Sequence, residues 1–144
     1  MKVFLDTNVI IDFYDQRAGF YQPAEQIMVL ANNGEIDIVV SAVTFVNAFY
    51  VLRKSFDIQD LYNLFEKLSA MCLISPIDAK IIKDSLNLRR RDFEDSVQYY
   101  SAQTANIDVI ITRNTQDYDD LGVKIQTPIE FLDDFFENKK NNGK

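Results

Sequence analysis

Three segments of the sequence carry acidic or amide side chains of the kind that bind a divalent cation. Asp6 follows an apolar run, Asp95 closes an acidic run, and Asn114 and Asp117 follow a second apolar run. Mg²⁺ prefers oxygen ligands and usually keeps several waters, so about two to four convergent carboxylates suffice. Such acids raise one another's pKa until a cation binds, and the bound cation can activate a water for attack on a phosphodiester. Metal-assisted hydrolysis is therefore open to these segments if the fold brings them together.

The absence of histidine narrows the chemistry further. It excludes Ser-His-Asp and Cys-His catalysis and histidine zinc sites, and the single cysteine, Cys72, excludes thiolate zinc sites and an intramolecular disulfide. The four glycines are too scattered for a phosphate-binding loop or a dinucleotide fingerprint. Carboxylates are the main candidate catalytic groups that remain.

The net charge of −7 has the wrong sign for a protein that holds nucleic acid through a broad basic face. Binding of a polyanion must then be local or assisted by metal. Arg89, Arg90 and Arg91 could supply a local basic cluster, although a solvated helix end explains this run equally well. The acidic surface would also suit a basic protein partner.

Apolar runs and helical patterns alternate along the chain and predict the elements that position these groups. Short strands are predicted at residues 2–5, 36–40, 72–75, 108–112 and 123–125. Helices are predicted at residues 23–33, 42–56, 57–68, 78–89, 92–105 and 127–136. The alternation predicts an α/β fold, a three-layer α/β/α sandwich with a mainly parallel central sheet. Active sites of such sheets gather at the C-terminal ends of the strands, where Asp6, Ser41 and Asn114 fall.

The length and the hydrophobic content predict a single domain over residues 1–136, followed by a flexible polar tail at 137–144. No apolar run reaches the roughly 18 residues of a membrane span, and no signal-peptide pattern opens the chain. We therefore expect a cytoplasmic protein.

Four segments, taken together in this order and spacing, resemble the PIN-domain family, which includes the VapC-type toxin ribonucleases. They are Leu5-Asp6-Thr7-Asn8 and residues 41–47, 92–95 and 112–117. Each motif is weak alone, because an Asp after a strand is commonplace. The combination is more specific, and the likeness spans residues 1–136.

The resemblance implies roles for individual residues. Asp6 matches the family's first acid and Asp95 the acid on the helix before the fourth strand, and both are implied ligands of Mg²⁺ or Mn²⁺. The segment 112–117 is similar to the last motif, in which Asn114 or Asp117 would complete the catalytic site and Asp117 would bind metal. Asn8 and Ser41 occupy supporting positions of the first and second motifs.

The sequence departs from the family pattern at Asn47, where the usual residue is a glutamate six positions after the serine. Loss of that charge would weaken a metal site unless Asp92 or Glu94 restores it nearby. We interpret the combination as a variant active site. Arg113 stands next to the last motif and is a candidate RNA contact.

Each of these acids also has a plainer explanation. Asp6 could simply hydrogen-bond a turn, and Asp95 could be a capping-box acid. Asp92 is also a natural helix N-cap. Asp117 lies in an acidic loop with Asp119 and Asp120, where a solvated charge is almost as good an interpretation.

The resemblance implies an endoribonuclease that is the toxin of a toxin–antitoxin pair, inhibited by a small antitoxin protein and often a homodimer. A first alternative is a catalytically weakened PIN domain that binds RNA or protein. A second is a phosphatase with a nucleophilic first Asp, which would need another Asp where Asn8 stands.

Overall fold

The computed structural model describes residues 1–142 and contains a five-stranded, all-parallel sheet in the order β3-β2-β1-β4-β5. The strands are β1 (Lys2–Leu5), β2 (Asp37–Ser41), β3 (Cys72–Ser75), β4 (Val109–Ile111) and β5 (Ile125–Gln126). The helices are α1 (Thr7–Tyr14), α2 (Tyr21–Asn32), α3 (Ala42–Leu52), α4 (Ile58–Met71), α5 (Ala79–Leu88), α6 (Phe93–Gln103) and α7 (Pro128–Asn142), with a 3₁₀ helix at Thr115–Tyr118.

Apolar cores cover both faces of the sheet, which is why its central strands read as continuous apolar runs. Val3 and Leu5 of β1 face the larger core, which also contains buried residues of α1, α2, α3, α4 and α7. Phe4, between them, faces a smaller core with Ala102 of α6 and Tyr118 of the 3₁₀ helix. Helices therefore lie on both sides of the sheet, and the predicted three-layer α/β/α fold is confirmed.

The central strand β1 is the point where the strand order reverses. β2 and β3 extend the sheet on one side of β1, and β4 and β5 extend it on the other. The C-terminal ends of β1 and β4 stay adjacent, because the Asp6 N–H donates to the Ile111 carbonyl over 3.0 Å. Ligands of open α/β sheets bind in the crevice beyond such a reversal, so the topology points to the end of β1.

Several helix boundaries differ from the sequence prediction, among them the start of α2 and the end of α3. α2 begins at Tyr21, two residues before the predicted start at Pro23. The helix tolerates Pro23 in its first turn because the backbone N–H groups there have no intrahelical partner. α3 ends at Leu52 instead of near Phe56, and a turn follows in which the Ser55 N–H donates to the Leu52 carbonyl.

The predicted flexible tail is wrong for residues 137–142, which continue α7 to Asn142. Lys139 forms a hydrogen-bonded ion pair with Glu35, and Lys139 and Lys140 lie in the last turn, where cations complement the helix dipole. A polar segment can thus extend a helix without burying an apolar face. Residues 143–144 of the predicted tail lie outside the described residues.

Within residues 1–142, none of the helices combines the length and the apolar character needed to cross a membrane.

Candidate active site

Asp6 stands between β1 and α1 and is the N-cap of α1. Its Oδ1 accepts a hydrogen bond from the N–H of Thr7, the first residue of α1, at 2.7 Å, and aspartate is a favoured N-cap residue. The residue is only 6% exposed, so its carboxylate lies beneath the surface at the reversal of the strand order. Local helix capping and sheet topology together fix the position of this side chain.

Besides the backbone N–H of Thr7, three side chains donate to the Asp6 carboxylate. Thr112, after β4, donates to Oδ2 at 2.9 Å, and the buried Tyr118 hydroxyl donates to the same oxygen at 3.3 Å. The Gln98 amide donates to Oδ1 at 3.2 Å. Burial raises the pKa of Asp6, and the hydrogen bonds from Thr112, Thr7, Gln98 and Tyr118 act against that rise. Side chains from the end of β4, from α6 and from the 3₁₀ helix therefore all contact the carboxylate of Asp6.

Gln98 connects the first and second predicted motifs. The residue is fully buried on α6, and its Oε1 accepts a hydrogen bond from the Ser41 hydroxyl at the end of β2. Its Nε2 lies 2.8 Å from Thr44 Oγ1 and 3.2 Å from Thr7 Oγ1. Ser41 itself caps α3 by accepting from the Thr44 N–H at 3.2 Å. Ser41 thus supports the site through Gln98, without a hydrogen bond to Asp6.

Asp95 lies in the first turn of α6 and belongs to the same group of charges. Asp92 is the N-cap, as predicted, and accepts from the Asp95 N–H at 3.3 Å. Burial, followed by repulsion from Asp92, Asp6 and Asp117, raises the pKa of Asp95 to about 8. Its Oδ2 is buried and has no hydrogen-bond donor within residues 1–142. An acid in this state binds either a proton or a cation.

Glu94 lies beside Asn47, the position at which the sequence departs from the family pattern. Burial and repulsion from Asp6 and Asp92 raise the pKa of Glu94, whereas a hydrogen bond from the Asn47 side chain lowers it. The fold therefore sets a carboxylate next to the amide that stands in place of the usual glutamate.

The segment after β4 is held by hydrogen bonds to Asn8. The Asn8 amide donates to Thr112 Oγ1 at 3.2 Å and accepts from the Arg113 N–H at 3.3 Å. The Asn114 N–H donates to Thr112 Oγ1 at 3.1 Å, and the Asn114 side chain does not cap the 3₁₀ helix. Asn8 thus orients the segment that contains Asn114 and Asp117.

Asp117 shares an open cleft of about 740 Å³ with Asp95 and Glu94. It is also one of the acids that raise the pKa of Asp95. The cleft lies at the end of β4, at the edge of the sheet where the sequence predicted a site.

Arg113 points away from these acids. Its Nε lies 2.8 Å from Oδ2 of the buried Asp12, and its guanidinium covers the Phe20 ring at 4.3 Å from the centroid. Arg113 is therefore occupied by an internal ion pair on α1, and its predicted contact with RNA stays a prediction.

The acidic side chains of the site offer only oxygen atoms as donors to a cation. Among residues 1–142, no group of three or more Asp, Glu or Cys side chains is close enough together to hold a metal ion. Asp6 is nevertheless near enough to raise the pKa of both Asp95 and Glu94, and Asp95 Oδ2 lacks a donor. An oxygen-only set with a buried, unpartnered carboxylate oxygen fits Mg²⁺ or Mn²⁺, provided that the acids draw together around the ion.

The sequence interpretation missed two residues that contact Asp6. Gln98 follows Asp95 by three positions on a helix, and this spacing could have placed both on one face. Tyr118 follows Asp117 directly, and no pattern in the sequence separates its hydroxyl from those of ordinary core tyrosines.

The fold is an all-parallel α/β sandwich, and its carboxylates interact where the strand order reverses. These two features define a class of proteins with an acidic site that suits a metal ion. Residues 2–116 match the sequence model of the PIN domain. The chain belongs to the PIN domain family.

Proteins of similar sequence and structure are consistent with this family assignment. Ribonuclease VapC1 of Aquifex aeolicus (strain VF5) is 24% identical over 143 residues, which cover 92% of this chain and 94% of that protein. The VapBC-1 structure from nontypeable Haemophilus influenzae has a TM-score of 0.66 at 21% identity and covers 90% of this chain and 99% of that chain. A toxin–antitoxin complex from Klebsiella pneumoniae has a TM-score of 0.65 at 22% identity, with coverages of 88% and 97%.

The raised pKa of Asp95 predicts a stability that depends on pH and metal. A carboxyl group whose pKa rises on folding favours the protonated folded state, so its stabilising effect is lost as the pH climbs from about 4 to about 8. The melting temperature of the metal-free protein should fall across this range, and Asp95→Asn should flatten the fall. Because a cation competes with the proton, stabilisation by Mn²⁺ should grow over the same range. Thermal unfolding with EDTA or Mn²⁺ measures both effects, and a flat wild-type profile in EDTA would contradict the expectation.

Proposed function

We propose that this protein is a divalent-metal-dependent endoribonuclease. The observation that carries the proposal is the buried Asp95 Oδ2, which has no donor within residues 1–142 and lies among carboxylates that include Asp6. Like charges are held near one another at a cost that a bound cation reverses. The family match supports the same function, because the relative from Aquifex is named a ribonuclease.

Asp6 and Asp95 are the proposed ligands of Mg²⁺ or Mn²⁺, and Asp117 is a third. A metal in this site supplies an acidified water and neutralises charge on the phosphate. Four donors stabilise the ionised form of Asp6 and oppose the rise in its pKa that burial causes. A cation bound at Asp95 would take the place of the proton that the raised pKa of this residue favours.

The remaining site residues have supporting roles in this proposal. Glu94, next to the Asn47 amide, replaces the charge that the usual glutamate would supply. Asp92 fixes the first turn of α6 by capping it. Asn8 holds the segment after β4, so that Asn114 can orient the water or the metal, while Ser41 positions Gln98.

The proposal extends to a cytoplasmic toxin of a toxin–antitoxin pair, with a small antitoxin as partner and a homodimer as its assembly. The support comes from similar proteins, since the VapBC-1 structure and the Klebsiella complex share the fold over most of their length. Exposed apolar side chains are available for such contacts on α3 and α4, including Val46, Tyr50 and Tyr62. Co-purification with the product of an adjacent short reading frame tests the partner.

A second candidate is a PIN domain that binds RNA or protein without cleaving it. Asn47 favours this candidate, as does the lack of a three-acid cluster among the residues described. The phosphatase alternative has less support, because the Asn8 side chain is engaged by Thr112 and the Arg113 N–H.

Cleavage of a mixed pool of end-labelled RNA separates the two candidates. We expect the wild-type protein to produce internal cuts with Mn²⁺ or Mg²⁺ and none with EDTA, because without a cation nothing lowers the pKa of the water or offsets the charge of the phosphate beside these acids. Binding of the pool without cuts under every metal condition would favour the non-catalytic candidate. Cuts that persist in EDTA would contradict a metal-dependent mechanism.

A further inference from the structure

Arg90 lies in the loop between α5 and α6 and lines the cleft that holds Asp95, Glu94 and Asp117. Its side chain is only 17% exposed, unlike an arginine at a solvated helix end. The preceding residue, Arg89, ends α5 in the left-handed conformation, with φ of 55°, and turns the chain toward the cleft. The interpretation of residues 89–91 as a solvated helix end therefore does not hold for Arg90.

One edge of the Arg90 guanidinium is fixed and another lacks a partner. Nη2 donates to Asp120 Oδ1 at 2.7 Å, across 30 positions of sequence, which ties the loop before α6 to the segment after the 3₁₀ helix. Nη1 is buried and has no acceptor within residues 1–142. An unpaired N–H on a permanently charged group is unfavourable, and a phosphate oxygen is an acceptor whose charge and geometry suit a guanidinium.

The charge of the whole protein opposes RNA, so a cation beside the acids would favour binding. With a net charge of −7, RNA approaches against a repulsive field, and the cleft itself is lined by Asp92, Glu94, Asp95 and Asp117. Arg113 is committed to Asp12 and does not offset this repulsion. Arg90 and its exposed neighbour Arg91 are the cations that line the same cleft as the acids.

We propose that Arg90 is the phosphate-binding residue of this cleft, holding a backbone phosphate of single-stranded RNA beside the carboxylates while Asp120 fixes the guanidinium. This inference rests on the proposed ribonuclease function and names its substrate contact. A role that is only structural, tying two loops together, would leave RNA affinity unchanged wherever the fold survives.

The first test measures binding of a short fluorescent single-stranded RNA in EDTA at several salt concentrations. Arg90→Met keeps the apolar stem and removes the charge, and should weaken binding by roughly 10- to 100-fold. The slope of log affinity against log salt should shrink by about 0.7, the value for one phosphate contact on a single strand. Lys67→Ala, an exposed change of equal charge on α4, should leave affinity and slope near those of the wild type.

Stabilisation by Mn²⁺ separates this inference from the proposed function. Arg90→Met should keep the wild-type Mn²⁺ response, since Arg90 binds no metal. Wild-type affinity and slope in Arg90→Met, alongside intact metal-dependent cleavage, would overturn the role of Arg90 and leave the ribonuclease standing. Arg90-dependent binding without any cleavage would support Arg90 and reject the ribonuclease.

A measurement on the wild-type protein covers the case in which Arg90→Met does not fold. Phenylglyoxal modifies accessible arginines, and mass spectrometry locates the adducts. The RNA should protect Arg90 from modification and leave Arg53, which is exposed after α3, as reactive as before. Equal modification of Arg90 with and without saturating RNA would overturn the proposal.

Discussion

Replacing either Asp6 or Asp95 with asparagine should lower metal-dependent RNA cleavage by more than about 100-fold. Changes to residues that only orient a ligand cost about 10- to 100-fold in metal affinity or activity, so loss of a ligand should cost more. The measurement is the initial rate of cleavage of one labelled RNA at saturating Mn²⁺. Asp60→Asn, an exposed acid in the first turn of α4, is the matched control and should keep wild-type activity.

The two variants should differ in stability even though both lose activity. Asp6 accepts four hydrogen bonds, so an amide at this position sets an NH₂ group against other donors and should destabilise the fold by about 1–3 kcal/mol. Asp95→Asn removes a repelled charge and should raise the stability of the metal-free protein near pH 8. Urea unfolding measures both changes. Cleavage near the wild-type rate in either variant would remove that acid from the mechanism.

Replacing Gln98 has the second largest expected effect. Gln98→Leu removes one donor from Asp6 and leaves the buried Ser41 hydroxyl with only the longer contact to Thr44 Oγ1, at 3.3 Å, as an acceptor. We expect a loss of about 1–3 kcal/mol in stability and about 10- to 100-fold in cleavage. Gln98→Glu should lose more activity than Gln98→Leu, because it keeps an acceptor for Ser41 but sets a carboxylate against Asp6.

The Mn²⁺ requirement distinguishes positioning from stability alone. If Gln98 orients Asp6, the Mn²⁺ concentration at half-maximal cleavage should rise in both variants at temperatures where they stay folded. Gln103→Leu, at an exposed position of the same helix, should change neither stability nor the Mn²⁺ requirement appreciably. An unchanged Mn²⁺ requirement in folded Gln98 variants would show that Gln98 only supports the core.

The sheet was predictable because its signals are local and repeated. Residues 3–5 of β1, 38–40 of β2 and 109–111 of β4 are continuously apolar, since both faces of these strands are covered. Asp6 and Ser41 are the polar residues at the ends of two of these runs. Because the C-terminal ends of parallel strands meet at one edge of a sheet, both could be placed at that edge without knowledge of the strand order. The cap at Asp92 was equally local, since an aspartate before a helical pattern is recognisable from sequence.

The parts that escaped prediction depend on distant contacts. The hydrogen bond from Tyr118 to Asp6 joins residues 112 positions apart. The commitment of Arg113 to Asp12 likewise depends on α1 packing beside the end of β4, and the sequence instead suggested a free cation next to the site. The helical extension to Asn142 was missed because residues 137–142 carry no apolar pattern.

The structure distinguishes between the two acids that could replace the charge missing at Asn47. The sequence raised Asp92 and Glu94 as replacements without choosing between them. In the structure Asp92 caps α6, whereas Glu94 lies next to the Asn47 side chain. The position of Glu94 makes it the better candidate, and Glu94→Gln should weaken the response to Mn²⁺ more than the same loss of charge at exposed Asp60.

The most direct measurement is an anomalous difference map from crystals of the wild-type protein grown with Mn²⁺. We expect a peak bound by the carboxylates of Asp6 and Asp95, with both side chains drawn toward it and Asp95 Oδ2 no longer unpartnered. A map with well-ordered Asp6 and Asp95 side chains and no Mn²⁺ between them, at metal concentrations that saturate cleavage, would contradict it.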